Sequence, residues 1–163
     1  MRPRLGVLFF LVLLVSVGVR AQNNPLVGTW KLNLAKSKYS PGPPPKSGTT
    51  KIVAVPGGIR LVADGVDDKG QATRAAYTAK FDGKDYPEKA SIGGKPNPNP
   101  NADAITWKKI DDYTYESTAK LKGQVMTTTH YVISRDGKTR TNTVTGKNAQ
   151  GQAVNNTIVY EKQ

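Results

Sequence analysis

From residue 50 onward the chain is punctuated by tight-turn signals at a nearly constant interval. They are Pro56-Gly57-Gly58, Asp67-Asp68-Lys69-Gly70, Asp82-Gly83, Asp111-Asp112, Lys122-Gly123, Asp136-Gly137 and Asn148-Ala149-Gln150-Gly151. Most neighbours lie about 12–14 residues apart, and β-branched or aromatic runs fill the intervals. That rhythm predicts successive antiparallel hairpins. Strands are expected near 27–34, 49–55, 59–65, 72–81, 103–110, 113–121, 124–134, 138–146 and 153–161, with a further short one near 84–92. No segment sustains a 3.6-residue apolar period, so little helix is expected. Many short strands in one small domain expose unpaired edges unless the sheet closes. The expected fold is therefore all-β, a single antiparallel up-and-down β-barrel of about 8–10 strands.

Two stretches break the rhythm, Pro41-Gly42-Pro43-Pro44-Pro45 and Lys95-Pro96-Asn97-Pro98-Asn99-Pro100-Asn101. Proline lacks the ladder donor and fixes φ, so both are expected as loops of polyproline character. Gly65-(x4)-Gly70-Gln71-Ala72 is echoed by Gly146-(x4)-Gly151-Gln152-Ala153. Both fall between strands, where shared hairpin chemistry explains the likeness without a functional reading.

At the N-terminus, Arg2 and Arg4 precede an apolar run from Leu5 to Val19, then Val19-Arg20-Ala21 before Gln22. This reads as a secretory signal peptide over 1–21, too short to span a bilayer as a helix. Residues 22–163 are expected to form one domain, secreted or periplasmic and not membrane-spanning after cleavage. Arg2, Arg4 and Arg20 belong to the leader, which leaves 21 basic against 12 acidic residues. Cysteine is absent, so there is no disulfide, thiol chemistry or lipid-attachment site, and stability must come from ladders and core.

The first expected strand reads Val27-Gly28-Thr29-Trp30-Lys31-Leu32 and the last ends Val159-Tyr160-Glu161-Lys162. Both resemble the corresponding strands of fatty-acid-binding proteins. The Gly-x-Trp opening is shared with lipocalins, their sister group in the calycin superfamily. The string Asn24 to Tyr39, with Asp82-Gly83-Lys84-Asp85-Tyr86-Pro87, is similar to small secreted lipocalin-like bacterial proteins. The resemblance implies a barrel with Gly28 and Trp30 plugging one end. Three departures separate it from fatty-acid-binding proteins. The Pro-rich stretch 40–47 stands where those proteins carry a helical lid. Ile158 stands where their carboxylate-anchoring Arg precedes the Tyr, so only Tyr160 carries over. Those proteins are also cytosolic. Avidin-type barrels and nitric-oxide-binding haem barrels share the opening. No matching set of biotin-contacting residues accompanies it here, and only His130 could serve as an axial ligand.

Side chains alternate across a strand, so a tight turn links the faces of its two strands. If Asp136-Gly137 is a two-residue turn, Ile133 shares a face with Arg140, and Tyr131 with Asn142. Either Val125, Thr129, Tyr131, Ile133, Arg140, Asn142 and Val144 point inward, or Met126, His130, Val132, Thr139, Thr141 and Thr143 do. The first set buries more apolar area and is favoured. It places Arg140 inside, where a charge must meet a ligand carboxylate or water, or else snorkel to solvent from a strand end. Ala75, Tyr77, Ala79, Phe81, Tyr113, Tyr115, Leu121, Val154, Ile158 and Tyr160 are also expected to point inward. Large rings alternate there with small residues, which predicts an incompletely filled interior. Tyr77, Tyr115, Tyr131, Arg140, Asn142 and Tyr160 are the candidate cavity residues.

With one His and no Cys, Cys–His catalysis and Cys-type metal sites are ruled out. No nucleophile elbow, phosphate loop or dinucleotide fingerprint is present. Asp67-Asp68 and Asp111-Asp112 sit in turns, where Asp bonds its own backbone. The basic residues are scattered and lack an aromatic stacking platform, so nucleic acid is not an expected partner. No enzymatic activity, metal or cofactor is expected. The leading expectation is a barrel that holds a small apolar or amphipathic molecule. The alternative is an interaction protein that engages anionic envelope surfaces or a partner through its basic exterior or Pro-rich loops.

Overall fold

The computed structural model describes residues 24–163, so the leader expected at 1–21 lies outside the described residues. The strands are β1 (Gly28–Lys38), β2 (Ser47–Val55), β3 (Gly58–Val66), β4 (Ala72–Lys80), β5 (Tyr86–Pro87), β6 (Lys89–Ile92), β7 (Lys95–Pro96), β8 (Ala104–Lys109), β9 (Thr114–Leu121), β10 (Gln124–Ile133), β11 (Thr139–Lys147) and β12 (Ala153–Lys162). They form one 12-stranded sheet in the order β5-β8-β9-β10-β11-β12-β1-β2-β3-β4-β6-β7. Every pairing is antiparallel, and no helix occurs among the described residues. The sheet is all-β and barrel-like.

The count exceeds the expected 8–10 for a local reason. The stretch expected as one strand near 84–92 divides at Glu88. Its first part pairs with β8 through Tyr86↔Ile105, and its second with β4 through Ala75↔Ala90. Lys95 and Pro96, expected in a loop, form a two-residue strand against β6. Proline is tolerated there because β7 is the outermost strand, with no further ladder to donate to.

The two ends of the sheet therefore meet in a single extended segment, Tyr86 to Ile92. Its crossing from one edge to the other is fixed by Glu88 N–H donating to Asp103 O at 2.9 Å. A bridge between Asp82 and Lys108, and Gly83 N–H on Trp107 O at 3.0 Å, tie the same seam further along.

Register across β10 and β11 is Ile133↔Arg140 and Tyr131↔Asn142, as the turn spacing predicts. The turn itself is displaced by one residue. Gly137 N–H donates to Ser134 O at 2.8 Å, which makes Arg135 and Asp136 its central pair. Tyr131, Ile133, Arg140 and Asn142 are buried, while His130 and Val132 are exposed.

Val125 departs from the expected inward set and is 61% exposed. A register shift between Val125 and Thr127 inserts an extra residue and reverses the alternation before it. Gly146 lies opposite Thr127 with φ +138°, and a Cβ there would sit 2.1 Å from Met126 O. Only glycine fits that crossing.

One half of the interior is solid. Leu26, Trp30, Ile52, Ile59, Trp107, Tyr115 and Ile133 are fully buried together, each large apolar group contributing roughly 1.5–3 kcal/mol. Trp30 Nε1 donates to Leu26 O at 2.9 Å, so the indole is held without an orphan donor. Trp107 stacks on Tyr131 at 4.5 Å between centroids, with Phe81 edge-on.

Candidate functional site

Along each strand away from the Trp30 layer, the inward residues become smaller. Thr50 follows Ile52 on β2, Ala63 follows Leu61 on β3, Ala75 follows Tyr77 on β4, and Ser117 and Ala119 follow Tyr115 on β9. The period of two sets this taper, since only alternate residues reach the interior. It leaves a cavity of about 190 Å³ in mid-barrel. A vestibule of about 400 Å³ adjoins it, sharing Ala63, Ala75, Glu88 and Tyr160.

The Pro-rich stretches border this vestibule, with Tyr39 and Pro45 from one and Asn97 and Asn101 from the other. The first is anchored on both sides of the opening. Asn155 N–H donates to Ser40 O at 2.7 Å, and Lys46 N–H to Val66 O at 2.8 Å. The second is tied by Asn97 N–H to Ala90 O at 2.9 Å.

Arg140 dominates the cavity. It projects from β11, is 1% exposed, and lies between the faces of Tyr160 (4.4 Å from Cζ to the ring centroid) and Trp30 (5.2 Å). Its Nε and Nη1 have no hydrogen-bond partner, and neither does the buried Oδ1 of its neighbour Asn142. No carboxylate pairs with it among the described ion pairs. Burial pulls its pKa below the ordinary arginine value, opposed by Tyr160, Tyr131 and Tyr77. A guanidinium remains charged in proteins, so the cavity holds a fixed cation with unused donors.

Tyr77, Tyr131 and Tyr39 border this charge or its approach. Burial pushes Tyr77 well above its ordinary value, raises Tyr131, and lifts Tyr39 to about 12. They are neutral hydrogen-bonding groups at physiological pH. Tyr131 shares a 2.9 Å hydrogen bond with Ser117. Glu88 reaches the same cavity from the seam, and burial alone raises its carboxyl to about 7.

Of the residues singled out from sequence, Tyr77, Tyr131, Arg140, Asn142 and Tyr160 line this one cavity. Tyr115 does not. It lies in the solid half, its hydroxyl donating to Asn24 Oδ1 at 2.8 Å, and burial lifts it to about 12. Trp30 sits fully buried in that same half, and Gly28 is partly buried beside Lys162. His130 points outward, its Nε2 3.3 Å from Glu116 Oε2, so it cannot reach the interior as an axial ligand.

Sequence reasoning missed Glu88, Thr50 and Ser117 as cavity residues. Glu88 shares a face with Tyr86 and Ala90, an alternation that was readable within the expected strand near 84–92. Outside the barrel, Lys51, Arg60, Arg74, Val53 and Val62 border a basic hollow of about 370 Å³, with Arg74 paired to Asp64 at 2.7 Å.

The interior thus offers a fixed cation, neutral phenols, a carboxyl and apolar walls, a set suited to holding an amphipathic anion. Compared with known proteins, the chain matches no family model, no curated protein and no solved structure.

Proposed function

We propose that this chain is an exported, calycin-like, non-enzymatic barrel that binds a small amphipathic molecule. The anionic group of that molecule meets Arg140, and its apolar body occupies the cavity and vestibule. One observation carries this reading: a fully buried arginine whose Nε and Nη1 are unused faces open space. An isolated buried charge is costly, and each hydrogen bond from a charged donor contributes about 1.5–3 kcal/mol. An incoming carboxylate, sulfonate or phosphate recovers that energy. The combined space falls in the range of about 300–1,000 Å³ usual for small-molecule sites.

The test uses 8-anilinonaphthalene-1-sulfonate and straight-chain alkanoates of six to ten carbons. Saturable one-to-one binding is expected for the wild-type protein. Arg140→Met is expected to weaken it at least tenfold. Because the substitution removes a buried charge, its melting temperature should equal or exceed that of the wild type. Equal binding by both proteins, or none by either, overturns the proposal.

A second reading rests on the exterior hollow, where Val53 is 38% exposed among Lys51, Arg60 and Arg74. Salt-sensitive binding to anionic envelope polymers, undiminished in Arg140→Met, would support it.

A further inference from the structure

Arg140 has a counterpart that it does not touch. Glu88 lines the inner cavity and the vestibule, and it has no hydrogen bond or ion pair among the described contacts of its side chain. Two opposite charges facing one cavity would be expected to pair, since direct contact relieves the desolvation of both. The topology prevents it. Going round the sheet from the Glu88 segment to β11, β8, β9 and β10 intervene on one side, and β12, β1, β2, β3 and β4 on the other. The two groups therefore occupy nearly opposite walls.

Nothing else on those walls completes either of them. Tyr77 on β4 and Tyr131 on β10 face the same space as neutral phenols, with Tyr160 on β12 beside them, while Arg74, Lys89 and Asp103 lie with Glu88 around an outer groove and Arg74 also borders the vestibule.

We infer that the cavity is built for a dipolar ligand, a small amino-carboxylate whose anionic end meets Arg140 and whose ammonium meets Glu88 across the barrel. This rests on the binding role proposed above and narrows it. A simple fatty acid fills only one of the two poles and leaves Glu88 facing an apolar chain. An ω-amino acid fills both, and the distance between its charges becomes a selection rule. The apolar walls between the poles, Leu61, Ala63, Ala75 and Ile105, suit the intervening methylenes.

The experiment is calorimetric titration of the purified protein with alkanoates of four to eight carbons and with the ω-aminoalkanoates of the same lengths, at pH 8. At least one ω-aminoalkanoate is expected to bind ten times more tightly than its alkanoate partner. Glu88→Gln should reduce that preference to less than twofold. A second readout does not depend on that variant's stability. At pH 7, in buffers of different ionisation enthalpy, binding of the aminoalkanoate should release a fraction of a proton from the wild-type protein. Binding of the alkanoate should release none. Equal affinity for the two series, or a preference that survives in Glu88→Gln, overturns the inference while leaving anion binding at Arg140 intact. Failure of every anion to bind overturns the parent proposal instead.

Discussion

At the scale of single residues, the barrel interior is governed by two charges in unequal positions. Arg140 cannot lose its proton, so its desolvation is a standing cost. Glu88 can take one up, and its carboxyl is raised to about 7 from an ordinary 4.5 by burial. The sign follows from proton binding. Between those two values the folded protein holds a proton that the unfolded chain has released, so stability falls as pH rises through that window. The contribution is fully present below about 4.5 and lost above about 7. Urea denaturation of the wild type and Glu88→Gln should give a stability gap that shifts by roughly 1–3 kcal/mol in favour of the variant between pH 5 and pH 8. A gap that does not change with pH excludes the burial argument. Arg140 was readable in the sequence because the Asp136-Gly137 signal fixed its register against Ile133. For Glu88 the alternation with Tyr86 and Ala90 was readable, but its place opposite Arg140 was not, because that depends on where the segment leaves one neighbour strand for another. The two echoed strings did carry information. Asp67 N–H donates to Gln71 O and Gly70 N–H to Asp67 O, and Asn148, Gln152 and Gly151 repeat that arrangement.

At the scale of elements, long strands and short ones divide the labour. β10, β11 and β12 carry long ladders on both sides, and the register between β11 and β12 runs unbroken from Thr139↔Glu161 to Lys147↔Ala153. The seam is made of β5, β6 and β7, of two, four and two residues. Local opening is cheapest where few backbone bonds and little apolar contact must be broken. Amide hydrogen exchange is expected to be at least tenfold faster for residues 88–96 than for 128–133 and 140–145. Equal protection would mean that the seam is as firmly held as the central ladders. Turn spacing located the long strands from β2 onward to within a few residues, since Gly and Asp signals act locally. It gave Val125 the wrong face because a bulge depends on the partner strand, here on Gly146 opposite.

At the scale of the whole molecule, the barrel is graded from solid to hollow along its axis. Trp30, Trp107 and Tyr115 fill one half, and Ala63, Ala75 and Ala119 leave the other half open. Fold stability and the candidate site therefore draw on different layers, and the site can change with little effect on the core. The expected closure of the sheet also has a consequence for chain connectivity. β12 pairs with β1 through Trp30↔Lys162, and Gln163 N–H donates to Thr29 O at 2.9 Å. The last strand and the first described strand are thus ladder neighbours in mid-sheet, like any other adjacent pair. A circular permutant that joins Gln163 to Asn24 through a short glycine linker, and starts instead at Asn99, retains every ladder. It should fold with an unchanged circular-dichroism spectrum and a melting temperature within about 10 °C of the parent's. A permutant that stays unfolded would show that β1 must lead the chain for the barrel to assemble.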